Sequence, residues 1–172
     1  MATPTLRELI AALKVPVPPT RTRPKANPSH LEWEVDLVCD LPGEFFFSVR
    51  VNAHVAESFS LILSYSAPGI RRVPIVRVNG DHGWVHPNDD GSVMEGGPHV
   101  HGPLPAELDL VADGIQRDGY AVAIQDTVLT PLQAWSHFCA ATNVADDPEI
   151  RRGLAQIRGI SKAEQPSLFD EE

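Results

Sequence analysis

Apolar and polar residues alternate along four segments of the chain between residues 31 and 80. In the first of them, the apolar side chains of Leu31, Trp33, Val35 and Leu37 fall at every second position. A period of two places successive side chains on opposite faces of a β-strand. Short turn-forming stretches (DLPG, NAHVAE and SAPGI) separate the four segments. The pattern therefore predicts an antiparallel meander with one apolar face.

The second and third segments identify the expected centre of the core. Phe47 lies in the middle of EFFFSVRV, and Leu61 and Leu63 occupy alternate positions of the next segment, SFSLILSY. We expect these three side chains to be almost fully buried. The fourth segment contains Pro74, which has no N–H group to donate and therefore indicates an edge or a bulge.

Helical segments flank this sheet and are expected to cover its apolar face. Residues 5–14 form a candidate helix with a capping box. Thr130 precedes Pro131 as a second cap, and an apolar stripe follows it at Leu132, Trp135, Phe138 and Cys139. Another helix is expected after Asp147, a shorter one within 104–116, and a returning strand within 119–126. The predicted fold is α+β: a twisted antiparallel β-meander of four or five strands covered on one face by helices.

The chain divides into three predicted regions. Residues 1–29 form an N-terminal helix and a proline-rich linker, which leaves open whether the helix docks on the body or forms an arm. Residues 30–145 form the α+β core, with a histidine-rich loop at 79–102. Residues 146–172 form a C-terminal helix and an acidic tail.

Charge and cysteine content limit the possible functions. The formal net charge is −9, which disfavours broad, nonspecific binding to nucleic acid because such binding needs cationic surface. The two cysteines have neither a metal-binding nor a disulfide spacing. With no secretory signal and no apolar run of membrane-spanning length, we expect a cytoplasmic protein without a membrane partner.

Four of the seven histidines lie within the loop, at His82, His86, His99 and His101. In an extended backbone the two rings of His99 and His101 point the same way. These two rings and His82 form a possible zinc site with a position left for water or substrate. Alternatively, two histidines act as a general acid and base without a cofactor, while Arg77 stabilises charge on a phosphate. A third possibility is that the histidines only stabilise turns.

The sequence RVNGDHGWVH, followed by GGPHVHGP, resembles a group of small bacterial and phage proteins. Its layout is similar to that of the TumE-type toxins of toxin–antitoxin pairs. The resemblance covers roughly residues 57–143 and points to Arg77, His82, His86, His99 and His101 as the site. It implies a phosphate-, nucleotide- or RNA-directed protein of toxin or phage-accessory type, with metal-independent, RNase-like or nucleotide-processing activity.

The chain ends in QPSLFDEE, which resembles the short peptide that binds the bacterial DNA polymerase sliding clamp. Leu168 and Phe169 would enter an apolar pocket while Gln165 donates and accepts hydrogen bonds. The alternative is that this tail packs on the domain. The sequence thus leaves a second functional class open: a non-enzymatic interaction protein that binds a host factor or the clamp, with structural or zinc-binding histidines.

Overall fold

The computed structural model describes residues 3–17, 25–27, 30–52, 54–55, 57–128 and 130–157 of the chain. The predicted clamp-binding peptide with Gln165, Leu168 and Phe169 lies outside these residues, as does most of the proline-rich linker.

The described residues form three α-helices and ten strands. The helices are α1 (Leu6–Ala11), α2 (Pro131–Thr142) and α3 (Pro148–Gln156). The strands are β1 (Val15–Pro16), β2 (Lys25–Asn27), β3 (His30–Val38), β4 (Glu44–Asn52), β5 (Phe59–Ala67), β6 (Ile70–Asn79), β7 (His86–Pro87), β8 (Val93–Met94), β9 (His99–Gly102) and β10 (Tyr120–Ala123).

One antiparallel sheet organises the domain, in the order β1-β3-β4-β5-β6-β9-β10, with β2 also pairing with β3. The consecutive strands β3 to β6 form the predicted meander, so the α+β prediction is confirmed. The sheet is wider than four or five strands because the H-x-H segment is itself a strand, β9, between β6 and β10. Strands β7 and β8 form a separate hairpin inside the histidine loop.

The apolar face of the sheet carries the core. Phe47, Leu61 and Leu63 are each 0 % exposed, which confirms the prediction for all three. Helix α2 covers this face, and the rings of Trp135 and Phe138 lie 5.0 and 4.9 Å from the ring of Phe47. Such tilted aromatic contacts add to the stabilisation from burial alone.

The predicted helix within residues 104–116 is wrong. Only one turn of 3-10 helix forms, at Pro105–Glu107. Beyond it, the carboxylate of Asp113 accepts the backbone N–H of Ile115, and Gly114 has a φ of +79°. In this turn the Asp113 side chain, rather than a backbone carbonyl, accepts the N–H of Ile115, and a helix cannot continue through it. The strand expected within 119–126 is confirmed as β10.

Helix α1 docks on the body, which resolves an alternative that the sequence left open. Leu9 is 0 % exposed within the core, and Leu6 is buried beside it. Lys14, just after the helix, is also fully buried, and its ammonium group donates to the carbonyls of Ile10, Ala12 and Thr142. Among the described residues, no helix is long and apolar enough to cross a membrane.

Candidate functional site

The pairing of β6 with β9 places two histidines beside Arg77 on the polar face of the sheet. Arg77 is the direct partner of His101, and Asn79 is the partner of His99. Side chains of directly opposed residues in antiparallel strands lie on the same face. The rings of His99 and His101 are 4.7 Å apart, as expected from their spacing in an extended strand.

The other two histidines approach from the loop that follows β6. The centre of the His86 ring lies 4.5 Å from that of His99, and the His82 ring lies 5.0 Å from the same ring. One nitrogen from each of His82, His86 and His99 lies within 4.8 Å of the others. His101 borders this trio, with its ring 5.0 Å from that of His86. The structure thus brings together all four histidines that the sequence singled out; we call them the histidine cluster.

Two loop side chains hold the segments that carry these rings. One carboxylate oxygen of Asp81 accepts the backbone N–H groups of Gly83 and Gly97, at 2.8 and 3.2 Å. It thereby ties the segment around His82 to the segment before His99. Gly97 has a φ of +100°, a conformation open to glycine and strained for other residues.

Asn88 fixes the far side of the loop. Its amide oxygen accepts the backbone N–H of Ala121 at 2.7 Å, and its amide nitrogen donates to the carbonyl of the same residue at 3.0 Å. These two bonds attach the β7–β8 hairpin to the edge strand β10, with the Asn88 amide bonding both backbone groups of Ala121 as a neighbouring strand would. Since His86 opens that hairpin, Asn88 fixes the position of this ring.

Hydrogen bonds define which nitrogen of His99 carries the proton. Its Nδ1 lies 2.7 Å from the carbonyl oxygen of Gly97, which can only accept, so Nδ1 donates. The unprotonated Nε2 then accepts from the side-chain amide of Asn79 at 3.1 Å. The bond to the Gly97 carbonyl fixes the tautomer that metal-binding histidines use, and the Asn79 amide occupies the Nε2 lone pair that a metal ion would take in its place.

Several polar atoms of the cluster are buried without a hydrogen-bond partner among the described residues. They are His86 Nε2, His101 Nδ1 and Asn79 Oδ1. His101 is only 7 % exposed and Asn79 only 4 %. Because buried polar atoms are nearly always satisfied, this concentration at one point indicates a place where a ligand is expected.

Burial keeps the cluster uncharged. Desolvation lowers the pKa of His99 to about 4 and that of His101 to about 3, and the nearby charge of Arg77 adds to the shift. Burial likewise lowers the pKa of His82 and of His86. All four rings are therefore neutral near pH 7, which is the protonation state that binds metal ions.

Arg77 is held in place by a buried carboxylate. Its Nε lies 2.6 Å from Oδ2 of Asp118, which is 3 % exposed, whereas Arg77 is 31 % exposed. The contact is an ion pair without a well-directed hydrogen bond between the two atoms. The second oxygen of Asp118 accepts from the side chain of Gln116 at 2.7 Å. Arg77 thus remains at the rim of the cluster with part of its side chain open to solvent.

Sequence reasoning missed Asn79, Asn88 and Asp118. For Asn79 a signal existed, because it follows Arg77 by two residues in a strand and must share its face. Asn88 lies in a turn and Asp118 in an irregular segment. In such segments the sequence has no repeating apolar pattern from which burial could be predicted. His54 and His137 lie on other segments, as expected.

No protein-family model, curated protein or solved structure matches this chain. What the histidine cluster does must therefore be inferred from its own geometry and chemistry.

Proposed function

We propose that this protein is a metal-dependent hydrolase of phosphate esters. In this proposal a divalent transition ion binds to His82, His86 and His99, with His101 beside them as a further candidate ligand. The observation that carries the proposal is the convergence of three ring nitrogens within 4.8 Å. Around them, the buried His86 Nε2 and His101 Nδ1 have no hydrogen-bond partner in the part of the chain that the structure describes.

Neutral rings favour a metal over the metal-independent acid–base pair that the sequence resemblance implies. A general base works best with a pKa near the working pH. With pKa values of about 4 and 3, His99 and His101 are weak bases, and near pH 7 they lack the imidazolium proton that a general acid donates. The same neutral rings are competent ligands, because protons do not compete for their lone pairs at pH 7.

The ligand set favours zinc or a similar ion. Imidazole suits zinc and its neighbours in the first transition series, whereas magnesium and calcium prefer oxygen. Three histidine ligands leave a coordination position open, which is the arrangement of catalytic rather than structural zinc sites. When bound there, such an ion polarises a phosphoryl oxygen and lowers the pKa of bound water.

Arg77 supports a phosphate as the reacting group. It is the direct neighbour of His101 across the strand pair, and its side chain is partly exposed. Guanidinium groups recognise phosphate oxygens through charge and paired N–H donors. Asp118 holds Arg77 in place through its carboxylate. The resemblance to TumE-type toxins, which rests on the same arginine and histidines, supports a phosphate-containing substrate as well.

The test is to measure the metal content of the full chain and its hydrolysis of bis(4-nitrophenyl) phosphate. We expect about one equivalent of a transition ion per chain, lost together with activity in His86→Ala and His99→Ala. His54→Ala, at an exposed histidine that is not part of the cluster, is the matched control and should retain both. A metal-free protein that binds no zinc on titration would refute the metal centre. A metal-loaded protein inactive on all phosphate esters would refute the hydrolase.

The C-terminal sequence supports a second, independent proposal. We propose that Gln165, Leu168 and Phe169 bind a bacterial sliding clamp, as the resemblance of QPSLF suggests. A peptide spanning Ala163 to Glu172 should bind a clamp with a Kd of roughly 1 μM, and the double change Leu168→Ala with Phe169→Ala should abolish this binding. If the peptide does not bind and the double change lowers the melting temperature of the protein, the tail belongs to the fold instead.

A further inference from the structure

A cleft opens on the polar face of the sheet, next to the histidine cluster. Its volume is about 350 Å³, within the range of roughly 300–1,000 Å³ typical of small-molecule sites. Among the residues that line it are Glu32, Glu34, Ser48, Arg50, Ile62 and Arg72. The cleft thus lies across strands β3 to β6, on the face opposite to the core.

Strand register makes the cleft continuous with the candidate metal site. One row of directly paired residues crosses the sheet from Glu34 through Ser48 and Ile62 to Arg77 and His101. Neighbouring strands are spaced by about 4.8 Å. A ligand with a phosphate at Arg77 therefore reaches Ser48, two strands away, within about 10 Å.

The charges of the cleft are balanced. Arg72 Nη2 lies 2.6 Å from the carboxylate of Glu34, and Arg50 Nε lies 3.4 Å from that of Glu32. Each arginine that lines the cleft is thereby matched by an acid. Binding of a polynucleotide depends on cations that replace counterions along its backbone. A cleft without surplus positive charge fits a small ligand that carries its phosphate at one end.

Arg72 provides a flat surface for a planar group. Its guanidinium lies 4.0 Å from the centre of the Phe46 ring, and 36 % of its side chain is exposed. A guanidinium packed on an aromatic ring from one side can stack with a second planar group on the other. The carboxylate of Glu34 beside it accepts hydrogen bonds from an amino or hydroxyl group. A ligand that matches these features has a planar ring, a hydrogen-bond donor and a terminal phosphate, and a nucleotide has all three.

We propose that the cleft binds the base and sugar of a mononucleotide whose phosphate lies at Arg77. This inference names the substrate class of the proposed phosphate-ester hydrolase and rests on that function. It narrows the phosphate-, nucleotide- or RNA-directed activity that the TumE-type resemblance implies to a single nucleotide.

Calorimetric titration of the full chain tests the inference, first as purified and then after removal of metal by a chelator. The probes are adenosine 5′-monophosphate, guanosine 5′-monophosphate, inorganic phosphate and a single-stranded oligoribonucleotide. We expect at least one mononucleotide to bind about tenfold or more tightly than phosphate. Arg72→Ala should weaken that binding by about tenfold, and Glu34→Gln serves as a second variant. Arg7→Ala removes an exposed arginine paired with Asp109, far from the cleft, and is the matched control.

If Arg72→Ala or Glu34→Gln binds the mononucleotide more weakly than the wild type while its metal content is unchanged, the result supports nucleotide binding in the cleft. Two results overturn it: a preference for the oligoribonucleotide over both mononucleotides, or equal nucleotide affinity in the wild type and both variants. Loss of the metal centre alone would leave nucleotide binding by the chelator-treated protein measurable. Failure of the proposed function is thereby distinguished from failure of the cleft assignment.

Discussion

Arg77 and Asp118 form an ion pair of 2.6 Å at the rim of the histidine cluster, in which the carboxylate is almost fully buried and the arginine side chain is partly exposed. Breaking such a pair from one side leaves a charge in a poorly solvated place. We expect Asp118→Asn to lower the free energy of unfolding by about 3 kcal/mol, at the low end for buried pairs because Arg77 keeps some solvent contact. Asp109→Asn, which breaks the exposed pair with Arg7, should cost less than about 1 kcal/mol. Urea unfolding of both variants measures the difference, and equal costs would contradict the special position of Asp118.

The metal-free protein should lose stability as the pH falls from about 6.5 toward 4. The unfolded chain has histidines with a pKa near 6.5, while burial lowers the pKa of His99 to about 4 and that of His101 to about 3. Between these values the unfolded state binds more protons than the folded state, so the free energy of unfolding decreases as pH decreases. Urea unfolding of chelator-treated protein at a series of pH values provides the measurement.

The matched variant for this pH dependence is His101→Asn. Its free energy of unfolding should decrease less steeply as the pH falls, because one of the two buried titrating rings is gone. His54→Asn, at an exposed histidine, should follow the wild type throughout. An acid profile that is the same in all three proteins would exclude the cluster as the source of the pH dependence.

Asn88 should control metal affinity without being a ligand. Its side chain makes two hydrogen bonds to the main chain of Ala121 and holds the hairpin that begins at His86. Asn88→Ala should cost about 1–3 kcal/mol of stability, since it leaves buried backbone groups unpaired. It should also weaken metal binding by about 10- to 100-fold, as is usual for residues that orient a ligand. Competition with a chromophoric chelator measures this affinity.

The control is Asn52→Ala, because Asn52 also accepts backbone N–H groups, at His54 and Val55, in the turn after β4. It should lower stability and leave the metal affinity unchanged. If both asparagine variants bind metal as tightly as the wild type, the hairpin does not position His86.

The sheet could be predicted because its signal is local and repeated. Each strand of the meander alternates over about nine residues, and burial of Phe47 and Leu61 follows from that period alone. The position of His99 beside His101 also follows, since both belong to one extended H-x-H segment. What the sequence could not show is that this segment lies between β6 and β10, which depends on pairing across a loop of about twenty residues.

The supporting residues of the site are less visible for the same reason. Asn88 and Asp118 lie in segments without periodicity, and each has a partner distant in the chain, Ala121 and Arg77 respectively. The choice between metal binding and acid–base catalysis by the histidines also depends on how deeply the fold buries them. Histidines in a glycine-rich loop are ordinarily solvated and titrate near neutral pH, whereas packing in this structure buries His99 and His101 and keeps them neutral.

Lys14 joins the ends of two helices and was not anticipated from the sequence. Its ammonium group is 0 % exposed and donates to the carbonyls of Ile10, Ala12 and Thr142, at 3.1, 2.6 and 2.7 Å. Two of these carbonyls belong to the end of α1 and one to the last residue of α2. Burial lowers the pKa of Lys14 to about 8, so the group remains charged at pH 7 and can donate to all three acceptors.

Lys14→Met retains the length and apolar stem of the side chain but removes all three donors. We expect it to lower the free energy of unfolding by about 3 kcal/mol, because carbonyls at the ends of both helices lose a charged partner in a buried place. Arg7→Met, at an exposed position of α1, is the matched control and should cost less than about 1 kcal/mol. Hydrogen exchange of the α1 amides gives a second readout, since detachment of the helix would accelerate exchange there before the sheet unfolds. If Lys14→Met is as stable as the wild type and the α1 amides remain protected from hydrogen exchange, the buried ammonium group does not hold α1 on the domain.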